Sequence, residues 1–292
     1  MQRLASWQLF AICVLTWGTT WYVITRQIDS ATPELGVALR FSLAAILVLA
    51  YCAWRRERLR FSLAQHGLLA LQGALMYSVS YIAVYHAERH VPSGLVAVGY
   101  SASPLLNGLG ARALFGAPLT RRFIVGGIAA VAGVALIFLP QFRQAAGDGA
   151  ATALGAAFTV AAVVLSSAGS LTASRNREHA IAFWPALGFG MAWSGALSWA
   201  IVIGLGQTVA PPQHLQWWTS LLYLSLAGSV LTFACFLTLV ERVGPGRAAT
   251  IGVMTPLLAL AISIAIENYR ADASTLAGVA LAVAGNALML RR

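Results

Sequence analysis

Three phenols, Tyr77, Tyr81 and Tyr85, stand at i, i+4 and i+8 in one apolar run, and on a helix that spacing places them along one face. Two indoles, Trp17 and Trp21, repeat the four-residue spacing in another apolar run, and Tyr100 lies in a third. Such side chains carry an apolar body with one polar tip, so a cavity lined by them holds an aromatic or large apolar group by stacking and dispersion. Ser101 and Ser103 stand beside Pro104, and Met254 and Thr255 stand beside Pro256. A proline removes a backbone donor and frees the carbonyl one turn back, which can then coordinate an ammonium group. The chemistry on offer is recognition. The chain has no H-E-x-x-H, no G-x-S-x-G and no paired carboxylates inside an apolar run, so an intramembrane enzyme is the weakest reading. Gly108-Leu109-Gly110-Ala111-Arg112-Ala113 mimics a dinucleotide fingerprint without the βαβ unit that would give it meaning. No cofactor and no metal are expected. Tyr85, Trp54, Trp217 and Trp218, near the ends of their runs, are expected in interfacial aromatic belts.

Composition sets the elements that must position these residues. With 59% hydrophobic and 10% charged residues, a chain of 292 residues cannot cover a water-facing surface and needs lipid as its solvent. Ten apolar stretches are long enough to cross a bilayer, near 6–25, 36–54, 66–85, 93–115, 122–139, 152–173, 180–206, 217–240, 245–266 and 274–290. The first continues through Trp17-Gly18-Thr19-Thr20-Trp21 without a small-residue cleavage site and is expected to be retained. The net charge of +10 comes from 19 arginines and no lysine, set mostly between the apolar runs, which argues against a nucleic-acid partner. Thirteen arginines fall in alternate loops and termini, against four (Arg26, Arg89, Arg143 and Arg270) in the others, so both termini are expected in the cytoplasm. Cys13, Cys52 and Cys235 have no CxxC spacing and read as small apolar fillers.

The chain repeats itself. Gly94 to Leu136 lies without a gap on Gly246 to Leu288, an offset of 152 that pairs Pro104 with Pro256, Gly126 with Gly278, and Gly133 with Gly285. Glu88-Arg89 and Pro92 are mirrored by Glu241-Arg242 and Pro245. Five spans per copy force the second copy to enter the membrane from the opposite side. The expected architecture is therefore an all-α integral membrane protein of ten transmembrane helices in two inverted five-helix repeats, residues 1–142 and 152–292, joined by a linker at 143–151. Pro104 and Pro256 are candidate hinges, and Gly126, Gly133, Gly278 and Gly285 candidate close-packing positions.

These residues carry a resemblance. Trp17-Gly18-Thr19-Thr20, Leu39-Arg40-Phe41, the Pro92/Gly94 and Pro245/Gly246 helix starts, the two mid-helix prolines and the paired glycine helices resemble the EamA family of the drug/metabolite transporter superfamily over the whole chain. Within it the chain is most similar to the YddG-type aromatic amino acid exporters. The resemblance implies a secondary transporter that exports amino acids, aromatic or large apolar ones preferred, and related metabolites by alternating access. It also implies the inner membrane as its location. Five spans per repeat allow a complete transporter in a single chain, so it is expected to work as a monomer, with the lipid bilayer as its surroundings.

Charge decides between coupling modes. All nine carboxylates fall at or near span ends, where none is a convincing mid-membrane proton carrier, which favours downhill export. Efflux of cationic drugs, the alternative, would want a buried carboxylate. Arg40, about two turns into span two, could steer a carboxylate but is expected rather to snorkel to the outer surface, and His86 to be a satisfied structural residue.

Overall fold

In a computed structural model of the chain, the described residues are 4–144, 149–210, 212–243, 248 and 251–290, and every regular element among them is helical. α1 is Ser6–Ile28, and α2 is Pro33–Trp54, whose N-terminus is fixed by Pro33 in its first turn and by Thr32, whose hydroxyl accepts from Leu35 N. α3 is Leu63–Glu88, entered through a Ser62/Gln65 capping box. α4 comprises a helix Ser93–Gly99, a 3₁₀ turn Tyr100–Ala102 and a helix Ser103–Phe115, ended by Gly116 in the left-handed conformation. α5 is Arg121–Gln144, α6 Gly149–Glu178 and α7 Phe183–Gly204. α8 runs over 215–243, α9 is Ile251–Ile266 and α10 Ala273–Leu290. Each of the ten expected spans coincides with one of these elements. Eight are long and apolar enough to cross a bilayer, while α4 is interrupted and the described part of α9 is shorter. Pro245 and Gly246, the expected start of span nine, lie outside the described residues, as do 145–148 of the expected linker.

The inversion is visible where α5 meets α10. A Cβ built on Gly133 would lie 2.5 Å from the Gly278 carbonyl oxygen, and one on Gly126 2.5 Å from that of Gly285. Gly126 thus faces Gly285 and Gly133 faces Gly278, so the helices run antiparallel. Because the repeat equates Gly126 with Gly278 and Gly133 with Gly285, equivalent helices point in opposite directions, as inverted repeats require. In lipid no hydrophobic drive brings helices together, and small residues compensate by letting the backbones touch. α2 and α7 form a second antiparallel pair: Gly195 abuts Ser42, Gly188 abuts Leu49, and Trp199 Nε1 donates to Ser42 Oγ at 3.2 Å.

Two features break the regular helical pattern symmetrically. α3 contains a π-helical turn at Gly73–Ser78, and α8 contains one at Tyr223–Leu231, the region that the repeat offset equates with it. In the second, Ser229 Oγ donates to the Leu224 carbonyl and Thr232 Oγ1 to that of Ala227, both five residues back. Backbone carbonyls loosened from the i→i−4 ladder therefore find side-chain donors.

α4 itself is divided. All residues of Ser93–Gly99 are buried, and none of Ser103–Phe115 is. The buried part packs on the C-terminal half of α9, where Gly94 N donates to Ser263 Oγ at 2.8 Å and a Cβ on Gly94 would lie 2.7 Å from Leu260 Cα.

Candidate functional site

At the centre of the bundle lies a cavity of about 370 Å³ walled by six spans. α1 contributes Trp17, Thr20 and Trp21; α3 Met76, Tyr77, Tyr81 and Val84; α4 Ala97, Tyr100, Ser103 and Pro104. α6 adds Ser166, α8 Phe233 and Phe236, and α9 Gly252, Thr255 and Pro256. The volume and the apolar and aromatic lining, with seven rings among seventeen residues and few polar groups, are those of a site for a small molecule.

The rings brace one another. Trp21 meets Tyr100 at 5.2 Å between centroids, Trp17 meets Phe233 edge-on at 5.3 Å, and Phe41, from behind, meets Tyr81 at 5.0 Å and Tyr77 at 5.5 Å. Trp17 is oriented further by its Nε1, which donates at 3.1 Å to the Gly228 carbonyl in the π-helical turn of α8. The Ser103 hydroxyl is buried without a hydrogen-bond partner. Pro104 and Pro256 lack the N–H groups that would bind the carbonyls of Tyr100 and Gly252, two residues that also line the cavity. Their settings differ: Pro104 opens the second helix of α4 just after the 3₁₀ turn, whereas Pro256 lies inside the continuous α9.

Trp17, Trp21, Tyr77, Tyr81, Tyr100 and Ser103 thus share one cavity, and two sequence-predicted binding residues lie elsewhere. Met254 is 43% exposed, because on α9 it sits opposite the face that carries Gly252, Thr255 and Pro256. Ser101 turns toward α10, where its carbonyl accepts from Asn286 Nδ2 at 3.3 Å. Tyr85 and Trp217, expected in interfacial belts, are interior instead, each 1% exposed, and Tyr85 donates to Gln27 Oε1 at 2.7 Å. Tyr85 leaves the face of Tyr77 because each four-residue step overshoots a helical turn by about 40°. Arg40 does not snorkel either: it is 2% exposed, with its guanidinium over the Tyr81 ring.

Polar groups cluster at the bundle end where α3 gives way to α4. His86 Nε2 lies 2.8 Å from Glu34 Oε1, Gln207 Nε2 donates to Glu34 Oε2 at 3.0 Å, and the His86 ring stacks on Phe158. His86 therefore has a structural partner. A vestibule of about 410 Å³ at the same end holds Glu88 and Glu267. Glu88 is buried with both carboxylate oxygens unpaired, while Glu267 accepts from Ser263.

An inverted pair of five-span halves around one aromatic cavity is a transporter's architecture, and comparison with known proteins agrees. The sequence pattern of the EamA-like transporter family matches residues 5–139 and again 153–291. The chain belongs to the EamA-like transporter family. Members similar to it include Protein PecM of Dickeya dadantii (strain 3937), 25% identical over 95% of this chain and 89% of that one. The uncharacterized inner membrane transporter YedA of Escherichia coli (strain K12) is 27% identical over 86% of this chain and 79% of its own length. A crystal structure superposes on 97% of this chain and 95% of its own with a TM-score of 0.69, at 19% identity, a likeness of fold alone. This EamA-family chain is a multi-pass membrane transporter. The sequence carried no sign of two parts of its site, the π-helical turns and Phe233 and Phe236 from the second half, and for Arg40 it favoured snorkelling over the interior position found.

Proposed function

We propose that this transporter exports amino acids, those with aromatic or large apolar side chains preferred, across the inner membrane by alternating access. The observation that carries the reading is the cavity itself, where Trp17, Trp21, Tyr77, Tyr81, Tyr100, Phe233 and Phe236 surround about 370 Å³. An aromatic side chain there replaces water against seven rings, while the Ser103 hydroxyl and the Gly252 carbonyl, which Pro256 leaves without its i+4 donor, are available to an ammonium group. Arginine placement puts both termini in the cytoplasm. On that orientation the Gly94–Ser263 contact seals the outer end, and the cavity is loaded from inside. Pro104 and the 3₁₀ turn before it supply a hinge in α4, and Pro256 the corresponding weak point in α9. A single chain contains both halves and the whole cavity, so the monomer is the working unit. The carboxylates stand at or near span ends, buried Glu88 included at the last residue of α3, and on that placement transport runs downhill.

The test is flux of labelled amino acids into liposomes holding the purified protein, with and without a pH gradient. Aromatic amino acids should move without the gradient, and Tyr77→Ala, Tyr81→Ala and Tyr100→Ala should each depress their flux several-fold. Absence of flux for every amino acid would refute the reading. Flux that depends on the gradient would refute its downhill part, and unchanged flux in the three variants would refute the assignment of the cavity.

A further inference from the structure

Arg40 is the most unusual charge in the bundle. It occupies the second turn of α2, is 2% exposed, and among the described residues its Nε and Nη1 have no hydrogen-bond partner. The carboxylate that influences it, Glu88, keeps both of its own oxygens unpaired, so the two make no ion pair in this conformation. Besides the Tyr85 hydroxyl, which hydrogen-bonds the guanidinium, what faces it is aromatic: its Cζ lies 4.8 Å from the Tyr81 ring centroid and 5.2 Å from that of Phe41. Cation–π contact offsets part of the lost hydration and leaves N–H groups unused. A guanidinium held at membrane depth without an anion is expensive, and residues of this kind mark substrate paths.

Its position gives the missing anion a route. Tyr81, which covers the guanidinium, is itself a wall of the central cavity, and so is Thr20. A Cβ built on Gly228 would lie 3.6 Å from Arg40 Nη2 and 2.8 Å from Thr20 Cγ2, so the glycine leaves open the space that both border. One ring and one threonine separate the charge from the cavity. Exposing Arg40 takes a rotation of Tyr81, a small motion for a side chain braced on one side only by Phe41.

We propose that Arg40 is the carboxylate anchor of the transport site, reached when Tyr81 swings aside, and that the substrate class is apolar or aromatic carboxylates, including amino acids, with amines excluded. This deepens the proposed function and rests on the same cavity. The planar fork of an arginine matches a carboxylate with two parallel hydrogen bonds, and desolvation strengthens each of them. The orphaned N–H groups then acquire partners only when substrate is bound.

The experiment uses purified full-length protein in detergent and three probes that share the indole ring: L-tryptophan, indole-3-propionate and tryptamine. Each is titrated against thermal stability, in the wild type and in Arg40→Gln and Arg40→Lys. The expectation is stabilisation of the wild type by the two carboxylates, at least about tenfold weaker binding of tryptamine, loss of that preference in R40Q and partial recovery in R40K. Tryptamine binding as tightly as tryptophan would overturn the anchor while leaving an aromatic exporter intact. Indole-3-propionate binding through Arg40 without flux of any amino acid would uphold the anchor and refute the amino acid reading. No stabilisation of the wild type by either carboxylate would overturn the anchor. Should the variants misfold, the ranking of the three probes on the wild type decides alone.

Discussion

Replacing one glycine of the α5–α10 contact by alanine tests the backbone-to-backbone packing. In the present geometry the new methyl of Gly133→Ala would meet the Gly278 carbonyl oxygen at 2.5 Å and Ala282 N at 2.6 Å. A relaxed C···O approach of about 3.4 Å requires the helices to separate by roughly 0.9 Å. Neither partner atom belongs to a flexible side chain, so the strain cannot be absorbed by a rotamer change. Overpacking of this kind costs about 1–3 kcal/mol. The same separation relieves both glycine contacts together, since Gly126 against Gly285 and Gly133 against Gly278 lie along one helix pair. Gly133→Ala combined with Gly278→Ala should therefore cost clearly less than the sum of the singles, a coupling that a double-mutant cycle reads directly. The assay is the midpoint of thermal loss of the monodisperse protein in detergent, followed by fluorescence-detected chromatography. Singles should fall several degrees below the wild type. Singles that match the wild type, or a double that shows full additivity, would refute the reasoning.

Ser93 and Ser263 hydroxyls lie 3.3 Å apart where α4 meets α9, and the native Cys13, Cys52 and Cys235 are buried and unpaired. The double variant S93C/S263C should form a disulfide under oxidant, lose transport and regain it on reduction; full flux in the cross-linked protein would show that this end need not open. At the start of α10, Asp272 accepts from Thr275 N at 2.8 Å and from Ser274 Oγ, and these hydrogen bonds hold its carboxyl below the ordinary value. A lowered folded value means that the ionised cap stabilises α10 fully above the ordinary carboxylate range, and that this contribution disappears as pH falls through the lowered value. The melting difference between wild type and Asp272→Ala should accordingly be present at neutral pH and close on acidification; a gap independent of pH would contradict the capping role.

Periodicity made much of this architecture legible, because in lipid every backbone group must be satisfied within a helix and span number follows from apolar length. The offset that equates Gly126 with Gly278 and Gly133 with Gly285 anticipated two equivalent helices of opposite direction, and α5 and α10 are such a pair. What escaped was rotation about the helix axes. Tyr85 belongs to the same i+4 series as Tyr77 and Tyr81, yet the drift of the series and the π-helical turn at Gly73–Ser78 carry it to Gln27. A π turn adds a residue per turn without any marker in composition. Met254 and Thr255 are adjacent in sequence, and only Thr255 looks into the cavity. Whether Arg40 faces lipid or neighbouring helices depended on the packing of α2 against α3 and α8, which no local pattern encodes; α2 is apolar on nearly all sides.

The symmetry of the scaffold and the asymmetry of the walls have different consequences for transport. The pseudo-two-fold relation passes between α5 and α10, whose equivalent glycines face each other and whose contact is the same whichever half is taken as the first. A motion that exchanges the conformations of the two halves leaves that contact unchanged, so it can act as a pivot. The α4–α9 contact is different: Gly94 meets Ser263 at one end, and in sequence the repeat equates these with Gly246, which lies outside the described residues, and Ala111. Ala111 instead borders a cleft with Thr120, Phe123 and Met289. On the proposed mechanism, closing the cleft at Ala111 and opening Gly94 from Ser263 are one movement, and its hinge is the 3₁₀ turn that already divides α4. At that turn Tyr100 has no equivalent in α9, where Gly252 matches it, whereas the hydroxyl of Ser103 just after the turn is matched by that of Thr255. On the proposed mechanism, an exchange of conformations between the halves would therefore leave the two faces of the cavity unlike, with the phenol of Tyr100 on one face only.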